Sequence, residues 1–363
     1  MIQNKTHGNY FNTMMPASGR GRYFYVNLMW WIVLVAALIA STAVCAVHAD
    51  SGPLETSNRF PLHLLFLKPR PVNADLPVSG EFQASMAVEY SNTYFQQKND
   101  RWDVLMDLEM TTLEFSLVYG VTSRVAVRMD VPFVSMDGGF LDGFLENYHD
   151  TLGVSNYGRE KRPKNTFAYR VSKDGQLWIR GEEGTLQVAD AVVSTQVRLI
   201  RKVVRDRKMT GSLLLRLKLP TGDKSRGLGS GRFDSGVYMP VRWSSSPWSL
   251  FIMPGVAFIA DPETDGAAIS ARNSYCAYLG LAYDYSPRTT WVAQLNYYSS
   301  PIEETGLDEL DRGALELAIG FHYLLTERWR AEFAFCEDLT SALPDFNMRL
   351  ALRWTWRRPD RDR

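Results

Sequence analysis

Carboxylates and a histidine gather in one stretch of the chain. Asp142, Glu146, His149 and Asp150 recur at i, i+4, i+7 and i+8, which places them on one side of a helix. Glu and His three apart can point at one ion, so this face is a candidate divalent-cation site. The plainer alternative is a solvated acidic face, because Leu141, Phe144, Leu145, Tyr148 and Leu152 take the other side at helical spacing. His322 is a candidate general base, with Asn296 and Glu332 on the neighbouring strand segments. A triad is recognised by geometry rather than order, but no serine matches those positions and the sequence carries no nucleophile elbow. The stretch 220–234 contains Gly222-Asp223-Lys224-Ser225; its glycines suggest a phosphate loop, yet the required Gly-x-x-x-x-Gly-Lys-Ser/Thr spacing is absent. The largest set is a row of charges alternating with apolar residues: Glu81, Glu89, Asp103, Asp107, Glu109, Arg124, Arg128, Arg216, Glu316, Glu332, Arg349 and Arg353.

The last of these charges show what element holds them. In Met348–Trp356, Met348, Leu350, Leu352, Trp354 and Trp356 fall on one face, and Arg349, Ala351, Arg353 and Thr355 on the other. A strand sends alternate side chains to opposite faces. An apolar face ending in tryptophans and backed by cations fits a membrane barrel, with lipid outside and water inside. The same period of two runs through Glu81–Phe133 and again from Val188 onward. At Thr111-Thr112 the apolar parity slips from even to odd numbers, which predicts a bulge. Counting back from Trp356, the connections alternate long (338–347, 300–312, 260–271, 220–234, 135–187, 96–101) and short (near 325, 287, 245, 205 and 121). Short inner turns and longer outer loops are the asymmetry of an outer-membrane barrel. The expectation is an all-β, antiparallel transmembrane barrel of about twelve strands over 81–356. The insertion 135–187 would be a long outer loop with a short helix and a hairpin at Lys173-Asp174-Gly175. First and last strands should pair, bringing Arg349 and Arg353 near Glu81 and Glu89. The charged rows then either line a wet pore or lock into matched pairs, and burial favours matching.

The remaining segments fit an exported protein. Leu28–Val47 is apolar, follows Arg20 and Arg22, and ends in Val47-His48-Ala49. That is the layout of a secretory signal cut after Ala49, with 1–19 as an upstream extension and Met14 or Met15 as alternative starts. An uncleaved anchor is the alternative. Residues 50–80 contain five prolines and read as an extended lead-in, not a packed element. Cys276 and Cys336 could pair in an oxidising compartment; two separate buried thiols are the plainer reading. Formal charge is zero, so nothing points to nucleic acid. Mean hydropathy is −0.20, which excludes a helical membrane protein. No cofactor motif is present.

Three stretches carry a resemblance: Tyr119-Gly120-Val121-Thr122; Gly138-Gly139-Phe140-Leu141-Asp142-Gly143-Phe144 with His149-Asp150; and Leu219-Pro220-Thr221-Gly222-Asp223 with Gly229-Ser230-Gly231 and Asp234. On these the chain resembles, over about 60–356, an uncharacterised family of Gram-negative outer-membrane barrel proteins classed as a domain of unknown function. The resemblance implies a barrel in the outer membrane, bounded by its lipid, and no particular activity. The charged tail 357–363 after Trp356 departs from the usual aromatic chain end. The functional expectation is passive passage or binding of small molecules, apolar ones among them. A lipid-hydrolase type of enzyme and a purely structural envelope barrel or surface binder are the alternatives.

Overall fold

Alternating apolar and polar residues, rich in Val, Leu, Tyr and Trp, form strands that bury one face and leave the other apolar and outward. The computed structural model describes residues 52–139, 163, 165–340, 344 and 346–357. The signal, most of the tail and the expected helix over 141–152 lie outside the described residues, and with the helix go Asp142, Glu146, His149 and Asp150.

The barrel begins with β1 (Phe82–Lys98), β2 (Trp102–Gly120) and β3 (Val125–Asp137). From the long insertion come the hairpin β4 (Ala168–Lys173) and β5 (Gln176–Arg180) and the two-residue β6 (Gln187–Val188). The wall continues through β7 (Ala191–Val204), β8 (Arg207–Leu219), β9 (Asp234–Tyr238), β10 (Val241–Ser245), β11 (Trp248–Phe258) and β12 (Ser274–Asp284). It ends with β13 (Thr289–Tyr298), β14 (Ala314–Leu324), β15 (Trp329–Asp338) and β16 (Phe346–Trp356). β9 and β10 both pair with β8 and β11, so they are one strand interrupted at Met239-Pro240. β1 pairs with β16, closing twelve antiparallel strands without an open edge.

The outer surface is apolar: Met86, Val88, Phe115, Leu117, Met129, Leu215, Leu279 and Leu350 are all exposed. Tyr119, Tyr285, Trp291, Tyr323, Trp329 and Trp356 are exposed at the short-turn end, an aromatic girdle of the kind that marks a membrane interface. The alternation of long and short connections holds, except that 96–101 is a tight turn because β1 and β2 run on to Lys98 and Trp102. The hairpin expected at Lys173-Asp174-Gly175 is present, with Asp174 and Gly175 both at positive φ. Both cysteines are buried and free.

Two expectations are corrected. The first is the bulge. β2 keeps one unbroken register with β1 and with β3 through Thr111-Thr112. The even face points inward along its whole length: Trp102, Val104, Met106, Leu108 and Met110 are buried, as are Thr112, Glu114 and Ser116. The apolar residues change face at Thr111 because the strand changes surroundings. Toward the short turn, Leu113, Phe115 and Leu117 meet the outside; toward the outer end, the apolar set meets an apolar interior.

The second is the lead-in. Residues 52–80 form a strap that occupies the interior. Leu54, Arg59, Phe60, Leu62 and Leu65 are each at most 2% exposed. The carbonyl of Gly52 accepts a hydrogen bond from His322 Nε2 (3.0 Å), near the short-turn end of β14. The strap then climbs to a 3-10 turn at Pro61–Leu65, where Pro61 takes an early position that needs no amide donor. There Phe60, Leu62, Leu64, Leu65 and Phe66 share one core with Trp102–Met110, Val171, Ile179, Ile302 and Leu310. It returns to the short-turn end, where Gly80 N–H donates to Gly120 (2.8 Å) and Gly120 N–H donates to Glu81 (2.9 Å).

At Gly120 the backbones of strap and wall come close together. A Cβ there would lie 2.1 Å from the Val78 carbonyl oxygen, a backbone atom. Gly120→Ala should therefore displace the strap's exit and lower stability by about 1–3 kcal/mol. The check is the temperature at which the folded barrel loses its faster migration on unheated SDS gels; an unchanged temperature would refute the close approach.

Candidate functional site

The interior is a charged shaft below an apolar cap, and each charge has its place from strand parity. On β1, odd residues face inward, so Glu89 is buried. The closure register sets Arg349 of β16 opposite it, and the two form an ion pair. Arg59 of the strap pairs with the same Glu89. Arg349 Nε also donates to Glu332 of β15 at 2.9 Å. Next to this chain, Arg70 of the strap pairs with Glu114 of β2 and, at 3.0 Å, with Asp130 of β3. Asp130 also receives Arg128 at 2.7 Å, and Arg216 approaches it at 3.6 Å. Glu55 of the strap takes Arg128 at 2.7 Å and pairs with Arg353. Charges removed from water are tolerated only when matched in this way.

Of the residues expected to face the interior, Glu89, Arg128, Arg216, Glu332, Arg349 and Arg353 meet in this lattice. Glu316 is buried apart from it and accepts a hydrogen bond from Asn296 (2.8 Å). Glu81 pairs not with Arg353 but with Arg357 at 2.6 Å, which gives the start of the tail a role in closing the barrel. Arg124 is exposed beside the turn before β3. Asp103, Asp107 and Glu109 lie on the odd, outward face of β2 and not in the interior, because the supposed bulge does not exist. Asp103 pairs with exposed Lys98 (2.9 Å), Asp107 accepts from Thr166 (3.2 Å), and Glu109 accepts from Asn92 (3.2 Å). His322 has Nε2 on Gly52 and Nδ1 3.6 Å from Glu332, so it anchors the start of the strap.

Sequence reasoning missed the strap's own groups: Glu55, Arg59, Arg70 and Asp75. The available signal is the run Pro61–Leu67, too apolar to be left in water. It also missed what the stretch around Gly222 does. Buried Lys218 contacts Asp190 (2.8 Å), Asp234 (3.1 Å), Ser230 (2.7 Å) and the carbonyl of Leu65 (2.6 Å). Asp190 also accepts from Gly222 N–H (2.9 Å), and Asp234 from Leu67 N–H (2.9 Å). The glycine-rich stretch is thus a clamp on the top of the strap.

Below the clamp and the lattice, a cavity of about 800 Å³ opens at the short-turn end. Its lining includes Glu55, Arg70, Asn73 and Asp75 of the strap and Arg128, Arg216 and Arg353 of the wall.

A family model described as a protein of unknown function (DUF3187) matches residues 29–356. The crystal structure of the COG4313 outer membrane channel from Pseudomonas putida F1 is similar with a TM-score of 0.53 and 16% identity, covering 79% of this chain and 99% of that one. The NanC porin gives 0.39 and 10%, over 75% and 98%. The P. putida toluene transporter TodX gives 0.33 and 9%, over 82% and 94%. Among curated proteins none matches the chain. The likeness to the first structure is one of fold.

Glu89 is the sole carboxylate partner of Arg59 among the described residues. Glu89→Met should leave that buried guanidinium unpaired and cost about 3–5 kcal/mol. Adding Arg59→Met should restore most of the loss. Urea unfolding of the single and double variants in lipid vesicles, read by tryptophan fluorescence, checks this; a double variant no better than the single one would break the pairing argument.

Proposed function

We propose, on the premise that the chain belongs to the DUF3187 family of proteins of unknown function, that it is a channel for small polar solutes, closed in this state by its own strap. The barrel lies in the outer membrane, its apolar belt against lipid and its short turns toward the periplasm. The observation that carries the reading is the strap itself. It fills the shaft with irregular backbone, and among the described residues no strand ladder joins it to the wall. Its hold is made of side-chain pairs, the Lys218 clamp and an apolar tip, all of which can release without opening the barrel. Part of the shaft is already hollow, as a polar chamber facing the short turns. A protein of the same fold is described as an outer membrane channel, which agrees with this reading. The charged lining favours polar solutes over apolar ones.

A static envelope barrel is the second reading, favoured by the apolar core that fills the outer half. A hydrolase gains nothing from His322, whose two ring nitrogens face Gly52 and Glu332.

Planar bilayers separate the two. Wild-type protein should show little or rare conductance, and deletion of 53–76 should raise it several-fold. Should the deletion fail to fold, Arg59→Gln/Arg70→Gln loosens the strap in place and should raise the open fraction. Folded variants that conduct no better than wild type would sink the channel and leave the static barrel.

A further inference from the structure

We infer that the chamber at the short-turn end is a binding site for small multivalent oxyanions, solutes carrying two or more phosphate or carboxylate groups. Ten basic and four acidic side chains line its 800 Å³. Glu114 and Asp130, just behind the lining, take Arg70, Arg128 and Arg216; with them counted the bases still outnumber the acids, so the chamber holds a positive excess between low-dielectric walls, which focus the field onto an entering anion. The excess is not spread evenly. Arg201 and Arg328 have no carboxylate partner among the described residues, and Arg198 donates to the carbonyl of Ser123. These three lie at the mouth, on the β7 and β14–β15 sides.

The chamber already holds oxyanions, and they belong to the strap. The Glu55 carboxylate sits between Arg128 (2.7 Å) and Arg353. The Asp75 carboxylate takes Lys208 (2.9 Å), Arg242 (3.3 Å) and the hydroxyl of Thr210 (2.8 Å). The wall therefore presents donors at carboxylate spacing at two points, with partnerless arginines beyond them. Guanidinium forks suit planar carboxylate and tetrahedral phosphate alike. A solute with one anionic group fits one arginine; a solute with two or more can bridge neighbouring bases on one side of the mouth, Arg201 with Arg198 at the preceding inward position of β7 or Arg328 with Arg353 of the adjoining β16, which is why multivalent anions are the class selected. The source is a soluble molecule and not a lipid headgroup, because the strap residues Glu55, Arg70 and Asn73 form part of the lining and lie inside the closed wall.

The inference concerns binding and holds whether or not the strap ever opens, so its test needs no conduction. Inorganic pyrophosphate is titrated calorimetrically into the full-length protein in phosphatidylcholine nanodiscs at low salt. Saturable binding is expected, weakening as salt is added. Arg201→Gln/Arg328→Gln, which touches no strap pair, should weaken it about tenfold or more while the folded band on unheated gels persists; that loss is about 1.4 kcal/mol. If the double variant does not fold, the single variants Arg201→Gln and Arg328→Gln should each show part of the loss. No saturable binding, or unchanged affinity in folded variants, would overturn the site. So would loss of pyrophosphate binding on adding phosphatidylglycerol, which would give the arginines to lipid phosphate.

Discussion

Three carboxylates stand side by side on the first three strands. Glu89, Glu114 and Asp130 are all buried on the inner wall, and like charges held close in a poorly solvated space cannot all stay ionised without cations between them. The cations come from two directions. Arg349 reaches Glu89 only because β16 closes on β1 in one register. Arg59 and Arg70 reach Glu89, Glu114 and Asp130 only because the strap is inside. Closure of the sheet and occupation of its interior therefore serve the same group of carboxylates, while Asp130 also keeps Arg128 and Arg216 of the wall. A slip of β16 by one residue would send Arg349 to the lipid face and leave Glu332 without its Arg349 donor.

The strap's sequence has the same order as the shaft it fills. Charged Glu55 and Arg59 precede the apolar run 60–67, and charged Lys68, Arg70 and Asp75 follow it. Folded back on itself at Pro61–Leu65, such a segment puts its apolar middle at one end and its charged flanks at the other. The wall is divided in the same way, with Trp102–Met110 above and the ion pairs below. Burial of the apolar tip favours the inserted state at about 25 cal/mol per Å² of apolar surface removed from water. The buried ion pairs add specificity of position more than net stability. Lys218 joins the two halves, since its neighbours include both a strap carbonyl and loop carboxylates.

Much of this architecture is written in alternation. The face of β16, the order of loops and the hairpin at Asp174-Gly175 all follow from period two and turn chemistry. So does the meeting of Arg349 with Glu89, since a closed barrel must pair its last strand with its first. The odd-numbered acids of β2 escape the same reasoning for a physical reason. Alternation says which residues share a face, but not which side that face meets. Equating every apolar face with the lipid face works until Thr111, and there it stops holding because the interior itself turns apolar.

The strap is the harder case, since no periodic signal marks a segment whose only regular piece is one 3-10 turn. Five prolines rule out a ladder in 50–80, which taken alone suggests exposure to water. The same prolines point elsewhere when the apolar run is weighed with them. Leu62, Leu64, Leu65, Phe66 and Leu67 cannot remain in water without loss, and they cannot enter lipid with unpaired backbone amides. The remaining place is inside the protein, where Asp234 accepts from Leu67 and Lys218 donates to Leu65. By that elimination, an irregular apolar segment just ahead of a barrel's first strand belongs in the interior on the strength of its residue types alone.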